Sequence, residues 1–337
     1  MKIVVDDKIP YIRERLGELV DEVVCLEGTA ITACDVRDAD ALIVRTRTRC
    51  DEQLLGGSRV QFVATATIGF DHIDTEYMER AGIAWTNCPG CNSGSVAQYV
   101  ECSLLLLQEK CGLRLCGSTI GIVGCGHVGS KVKTVAERLG MRVLVCDPLI
   151  GLSDTVSLDV IERESDIITF HVPLTREGQY ATEYMANDNF FHRLTRVPYI
   201  INTSRGEVVD NGALLTAIEE GRVKDAVLDV WEHEPQLNET LLRRVFIGTP
   251  HIAGYSADGK VNADNMVIEA LCRHFGLTNP GKIEAPSLPD SFHDTGNPLD
   301  WYNPLKDSEK LKSAPSKFEF FRNHYPLRRE QIRQNSV

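Results

Sequence analysis

The sequence predicts an α/β protein of two doubly wound parallel-sheet domains with a short C-terminal extension, on three observations. Short β-branched apolar runs alternate with helical patterns along most of the chain. Two long helical patterns divide that alternation into two series. The 337 residues exceed what one ordinary core holds.

The first series has apolar runs at residues 3–5, 23–26, 41–44, 62–66 and 84–86. Runs this short, separated by helical stretches, favour parallel pairing, because each crossover must travel back along the sheet. A long helix is expected over about 95–108, with Val96, Tyr99, Val100, Leu104 and Leu107 on one stripe. The second series runs through 119–123, 142–146, 167–170, 199–202, 226–229 and 246–248. Another long helix, roughly 256–275, returns the chain to the first domain. The domains are therefore residues 1–94 with 256–279, and residues 95–255. Past Leu277, Pro280, Gly281, Pro286, Pro289, Gly296, Pro298, Pro304 and Pro315 interrupt any long element, so 280–337 reads as an extension. Its composition fits a disordered tail, but Phe318, Phe320, Phe321 and Tyr325 are costly to leave in water, so a segment that docks on another subunit is the alternative. Leu104 to Leu107 are consecutive, so the helix near 95–108 is apolar beyond one face, and a homodimer through both is expected, with full burial in the monomer as the competing explanation.

At residues 119–129 the apolar run Thr119 to Val123 enters Gly124-Cys125-Gly126-His127-Val128-Gly129. Val128, Val132, Val135 and Leu139 then recur at helical spacing, so a helix begins inside the glycine segment. In that context the first glycine makes a tight turn, the second admits a pyrophosphate to the backbone, and the third lets helix and strand pack closely. The helix N-terminus supplies free N–H groups and positive dipole. A second strand ends in Asp147, placed to bind adenosine ribose hydroxyls. The reading is a Rossmann-type domain with Gly124, Gly126, His127, Val128, Gly129 and Asp147 at the cofactor. A carboxylate at 147 repels a 2′-phosphate, and Pro148 follows rather than an arginine, so NAD is favoured over NADP.

Composition sets exclusions. A net charge of −12 argues against a general nucleic-acid surface. No apolar run approaches the ~20 residues of a membrane span. The first residues enter a strand without the apolar core of a signal peptide. Eleven cysteines, scattered and odd in number, read as reduced residues of a cytoplasmic protein. Cys88-Pro89-Gly90-Cys91 has redox spacing, but no second such pair exists to complete a metal site. It reads as a structural loop, and no metal is expected.

Three loops follow strands of the second series: Asn202-Thr203-Ser204-Arg205-Gly206, Asp229-Val230-Trp231-Glu232-His233-Glu234-Pro235 and Thr249-Pro250-His251-Ile252-Ala253-Gly254-Tyr255. Open α/β sheets place ligands at such strand ends. The loops offer an arginine, a carboxylate and a histidine, the groups needed to oxidise a 2-hydroxy acid. Histidine can take the hydroxyl proton near neutrality, a carboxylate can fix its tautomer, and a guanidinium can grip the substrate carboxylate bidentately. Spacing alone leaves Glu232 and Glu234 as rivals for the acid.

These motifs in this order, with His171-Val172-Pro173-Leu174-Thr175 between them, resemble the D-isomer-specific 2-hydroxyacid dehydrogenases. The resemblance implies a flavodoxin-like substrate domain beside the Rossmann-type one. It also implies catalytic roles for Arg205, Glu234 and His251. It extends the cofactor set to Val172, Thr203, Ser204, Arg205, Asp229 and Gly254. Family members often carry threonine where Val172 stands, so contact there would be through backbone. Thr65 to Asp74, Pro89 to Asn92 and Pro250 to Ser256 narrow the likeness to a branch acting on a small phosphorylated 2-hydroxy acid, with Thr46, Thr67 and Tyr255 at the substrate. Independently, alternation in Arg45-Thr46-Arg47-Thr48-Arg49 would put three arginines on one face of an extended segment, as a phosphate requires. The competing readings are another branch of that family, such as one acting on D-3-phosphoglycerate, and a non-catalytic NAD-sensing scaffold of the same fold.

Overall fold

Alternating apolar runs become parallel strands throughout the computed structural model, which describes residues 1–151 and 154–331. The chain forms two units, and the first comprises residues 1–92 and 256–288. Its strands are β1 (Lys2–Asp6), β2 (Glu22–Leu26), β3 (Ala41–Val44), β4 (Phe62–Thr65) and β5 (Ala84–Thr86). They pair in the order β2-β1-β3-β4-β5, all parallel. Ile3 and Val5 enter one core and Val4 the other. Burial on both faces explains why β1 reads as continuous rather than alternating. The helix Ala257–Phe275 covers one face with Val267, Ile268 and Leu271. It starts where Ser256 Oγ accepts the Gly259 N–H at 2.8 Å and stops at Gly276, φ +67°.

The second unit comprises residues 93–255 and, among the described residues, 289–331. Its strands are β6 (Thr119–Val123), β7 (Arg142–Cys146), β8 (Ile167–Phe170), β9 (Tyr199–Asn202), β10 (Asp225–Leu228) and β11 (Ile247–Gly248). They run in the order β11-β10-β9-β8-β6-β7, again all parallel. Strand order reverses between β6 and β8, which opens a crevice beyond their C-terminal ends.

Two expectations change here. The long helix spans Ser93–Cys111, and Leu104, Leu106 and Leu107 are at most 1 % exposed within the unit. Each such side chain contributes roughly 1.5–3 kcal/mol by burial. The consecutive leucines are thus accounted for inside one chain, without a second subunit. Of the extension, the described residues 289–331 group with the second unit. Leu311 and Phe318 are buried in one core of the second unit with Phe321 against it, and Tyr302 and Tyr325 pack on the other. Of the tail aromatics only Phe320 is left largely exposed. The periodicity is faint because the helices here are short: Pro304, Ser308 and Leu311 make one buried face of the helix Pro304–Ser313, a stripe of three positions broken by a serine.

Candidate active site

Every strand of the second sheet delivers a polar group at its C-terminal end. After β6, Gly124 turns at φ +86°, and a Cβ there would lie 2.7 Å from His171 O. A Cβ on Gly129 would lie 2.0 Å from Gly124 O, so helix and turn touch through backbone. Around Gly126 nothing lies within 4 Å of that position. The helix His127–Arg138 begins at Gly126 with no side-chain cap. Open backbone and uncapped first-turn N–H groups suit a diphosphate. Asp147, just after β7, accepts the Cys125 N–H at 2.8 Å and the Leu149 N–H at 3.1 Å, tying the turn to its neighbour strand. Val172 covers the turn, its Cγ1 2.7 Å from where a Gly124 Cβ would stand.

At the end of β8 the His171 ring lies between the hydroxyls of Thr169, 2.9 Å away, and Thr203, 3.3 Å away. Desolvation pushes this imidazole down to about 3, so it is neutral and is no proton carrier at physiological pH. After β9, Asn202 folds the loop on itself. Its Oδ1 accepts the Ser204 N–H and hydroxyl at 3.0 and 2.8 Å, and its Nδ2 donates to Arg205 O at 2.9 Å. Arg205 donates to Ser204 O at 2.9 Å, and its guanidinium has no carboxylate within 4 Å among the described residues. Gly206 is required next, since a Cβ would sit 2.0 Å from Trp231 O.

The loops after β10 and β11 bring the acid and the imidazole together. Glu234 Oε2 accepts from His251 Nδ1 at 2.8 Å, and Oε1 accepts the Trp231 N–H at 3.0 Å. Burial alone would raise the Glu234 carboxyl. The His251 ring, by charge and hydrogen bond, together with the Arg322 charge and the Trp231 N–H, outweighs it and holds the group below the ordinary carboxylate value. With Nδ1 on the carboxylate, Nε2 is left to face a reactant. Glu232 points elsewhere, accepting the Asn211 N–H at 2.7 Å and bonding the Tyr184 hydroxyl. The pair is therefore Glu234 and His251.

Asp229 is 1 % exposed and spends both oxygens inside the loop. Oδ1 accepts the Thr249 hydroxyl at 2.6 Å and the Ile252 N–H at 2.8 Å, and Oδ2 accepts the Ala253 N–H at 2.8 Å. Its carboxylate is thus a clamp on the loop that carries His251, with Gly254 at the loop's far side. Tyr255 stacks edge-on against Tyr325, and its hydroxyl meets the guanidinium of Arg322, a residue of the tail that sequence reasoning missed. Thr249 and its partner Tyr99, 2.7 Å apart, were missed as well, although Thr249 directly follows a predicted strand.

In the first unit, Thr67 exchanges a hydrogen bond with Thr65 at 2.6 Å and donates to Gly69 O at 2.9 Å, beside β4. His72 meets the Thr65 hydroxyl at 3.0 Å, and desolvation, opposed by Asp71, lowers its pKa. Residues 45–49 are not extended as the alternation suggested. They turn beyond β3, where Arg45 faces Asp6 at 3.4 Å across the point of strand-order reversal. Buried Asp6 needs a cation, and that need overrides the alternation. Thr46, Arg47 and Arg49 line a cavity of about 410 Å³ with Asp71 and His72. Cys88 and Cys91 are buried and form no disulfide, and burial pushes the Cys88 thiol well above its ordinary value. Among the described residues no cluster of side chains could hold a metal ion, and no helix is long and apolar enough to cross a membrane.

Comparison with known proteins agrees with this geometry. Residues 105–253 match the D-isomer specific 2-hydroxyacid dehydrogenase NAD binding domain. An erythronate-4-phosphate dehydrogenase of Bacteroides thetaiotaomicron is 52 % identical over 345 residues, covering 100 % of this chain and 99 % of the relative. Another, from Cronobacter sakazakii, is 40 % identical and covers 98 % and 92 %. Among solved structures, NAD-bound 3-phosphoglycerate dehydrogenase of Entamoeba histolytica superposes with a TM-score of 0.70 at 29 % identity, covering 84 % of this chain and 98 % of that one. D-Lactate dehydrogenase of Aquifex aeolicus, solved with NAD and lactic acid, gives 0.68 at 25 % identity, covering 85 % and 100 %. A sheet with the glycine turn at its switch point, a histidine–carboxylate pair and an arginine free of carboxylates is what such a dehydrogenase needs, and the chain belongs to the D-isomer specific 2-hydroxyacid dehydrogenase family, in the branch of the erythronate-4-phosphate dehydrogenases.

Proposed function

We propose that this enzyme oxidises 4-phospho-D-erythronate at C2 to (R)-3-hydroxy-2-oxo-4-phosphobutanoate, a step of pyridoxine 5′-phosphate (vitamin B6) biosynthesis. The observation that carries the reading is the 2.8 Å contact between His251 and Glu234, in a chain 52 % identical to a named erythronate-4-phosphate dehydrogenase. NAD, when bound, accepts the C2 hydride. His251 Nε2 takes the C2 hydroxyl proton, and Glu234 holds Nδ1–H and stabilises the imidazolium that forms. Arg205 grips the substrate carboxylate and the oxygen that becomes the carbonyl. The open Gly126 backbone, the uncapped helix start at His127 and Val128, and Asp147 support a cofactor there, with Val172, Thr203, Ser204, Asp229 and Gly254 along it. Thr46, Thr67 and Tyr255 are assigned to substrate. Arg47 and Arg49, beside Thr46, are suited to its phosphate.

The first unit is assigned to substrate and the second to NAD. A cytoplasmic location is supported by eleven cysteines that form no disulfide, a state which a reducing compartment preserves. A homodimer is proposed with the exposed ring of Phe320 as its remaining support; a monomer in sedimentation at micromolar concentration would discard it. NADH formation from 4-phospho-D-erythronate tests the activity. Turnover of 3-phosphoglycerate in its place would move the enzyme to the serine-pathway relatives. NADH binding without turnover of any 2-hydroxy acid would support a scaffold.

A further inference from the structure

The catalytic histidine stands in a backbone conformation that its own sequence does not favour. His251 has φ +56°, a left-handed state that a non-glycine residue seldom adopts and that persists only when the surroundings over-determine it. Asp229 supplies half of that determination by taking the N–H groups of Ile252 and Ala253. The carbonyls of the same residues point the other way and need donors of their own.

Within the loop Ile252 O accepts the Tyr255 N–H at 2.9 Å, and further donors come from one side chain far along the chain. Arg328, 8 % exposed, lies beneath the loop. Its Nη1 donates to Ile252 O at 3.0 Å and Tyr255 O at 2.9 Å, and Nη2 donates to Ala253 O and to Ser95 O at 3.2 Å. Its Nε donates to Gln98 Oε1 at 3.2 Å, and the guanidinium lies 4.1 Å over the Tyr302 ring. No carboxylate lies within 4 Å of it among the described residues. A cation buried without a counter-ion is expensive, so it is held by neutral acceptors that must stay in place around it. Only arginine has five N–H donors in a planar fork that can serve so many oxygens at once.

We propose that Arg328 is a positioning residue for catalysis: it fixes residues 252–255 from the carbonyl side as Asp229 fixes them from the amide side, and so sets where the His251 ring stands. A loop gripped through both sets of peptide groups cannot slide in either direction. Small displacements at reacting groups are severe, since about 1 Å can cost ~10²-fold in rate.

The turnover arm of the test rests on the dehydrogenase reading, and the exchange arm does not. Arg328→Met fills the space without donors, and Arg328→Lys keeps the charge with three donors and stands in if the first does not fold. Kinetics are normalised to NADH-binding sites, so misfolded protein does not count. Expected are a kcat about 10²-fold lower for Met and a smaller loss for Lys, with NADH affinity within about threefold of wild type. Methylguanidinium added to Arg328→Ala should restore part of kcat, which a general loss of stability would not allow. Hydrogen exchange at the Ile252 and Ala253 amides should quicken at least ~tenfold in the folded variants. Wild-type kcat per site, or unchanged exchange at those amides, overturns the proposal. If the wild-type protein itself fails to turn over, the assigned activity falls, while the exchange result still judges Arg328.

Discussion

Replacing Glu234 by Gln removes one acceptor from a group that uses two. The carboxylate takes the His251 Nδ1–H at 2.8 Å on one oxygen and the Trp231 N–H at 3.0 Å on the other. An amide has a single acceptor oxygen, so one donor loses its partner. A hydrogen bond to a charged group contributes about 1.5–3 kcal/mol. The His251 and Glu234 side chains are 27 % and 18 % exposed, so solvent screens part of the interaction and the lower half of that range applies. About 1.5–2 kcal/mol corresponds to roughly 10–30-fold in kcat, because the imidazolium formed in the transition state loses its counter-charge. Without the counter-charge the acidic limb of the rate profile moves to lower pH. If the amide turns its NH₂ toward Nδ1, Nε2 carries the proton and turnover falls further. The assay is the initial rate of NADH formation as a function of pH. An acidic limb that stays in place with a wild-type rate would show that the two residues do not act together.

His251→Ala should lower kcat by about 10²–10⁴-fold with NADH binding nearly intact, and a wild-type rate would remove His251 from the mechanism. Arg205→Lys should be strongly impaired in kcat/KM, because an ammonium cannot reproduce the fork, and equal kinetics would refute the carboxylate grip. Gly129→Ala puts a methyl 2.0 Å from backbone oxygen, so a fluorescence titration should find NADH affinity lost; unaltered affinity would show that the turn can shift. Asp264, 1 % exposed on the helix Ala257–Phe275, is pushed up to about 7 by burial, against the Tyr11 N–H and the Lys260 charge. Its folded value is raised, so stability is full below the ordinary value of 3.8 and is lost as pH rises through about 7. Asp264→Asn should flatten that dependence and raise the melting temperature at alkaline pH, and an unchanged thermal profile would refute it.

The strands were legible because burial on both faces writes itself as uninterrupted Val, Ile and Leu, and the glycine turn because backbone stands where a Cβ would go at Gly124 and Gly129 while Gly126 stays open. The catalytic loops were legible as loops, but Glu232 and Glu234 share composition and context. Only the positions of Asn211, Tyr184 and His251 separate them. Residues 45–49 misled, because alternation says nothing of a buried Asp6 waiting across the strand ends. The consecutive leucines of residues 104–107 showed that a second covering surface exists, and could not say that Leu299 and Leu305 of the same chain help provide it. Arg328 was invisible for a related reason. A lone charge in a segment without periodicity gives no sign of being buried, and its acceptors are main-chain oxygens that carry no residue code.

The burial of Leu311, Phe318 and Arg328 in the second unit also sets an order of events during synthesis. His251 leaves the ribosome well before the residues that complete the packing around its loop. At about 5–20 residues per second that interval lasts ~4–15 s. During it the nascent sheet carries uncovered apolar surface, and the loop lacks the donors that Arg328 later brings to its peptide oxygens. A message broken within its last portion would therefore yield a chain holding every residue of the histidine, glutamate and arginine set, yet one that a chaperone or protease meets as unfinished.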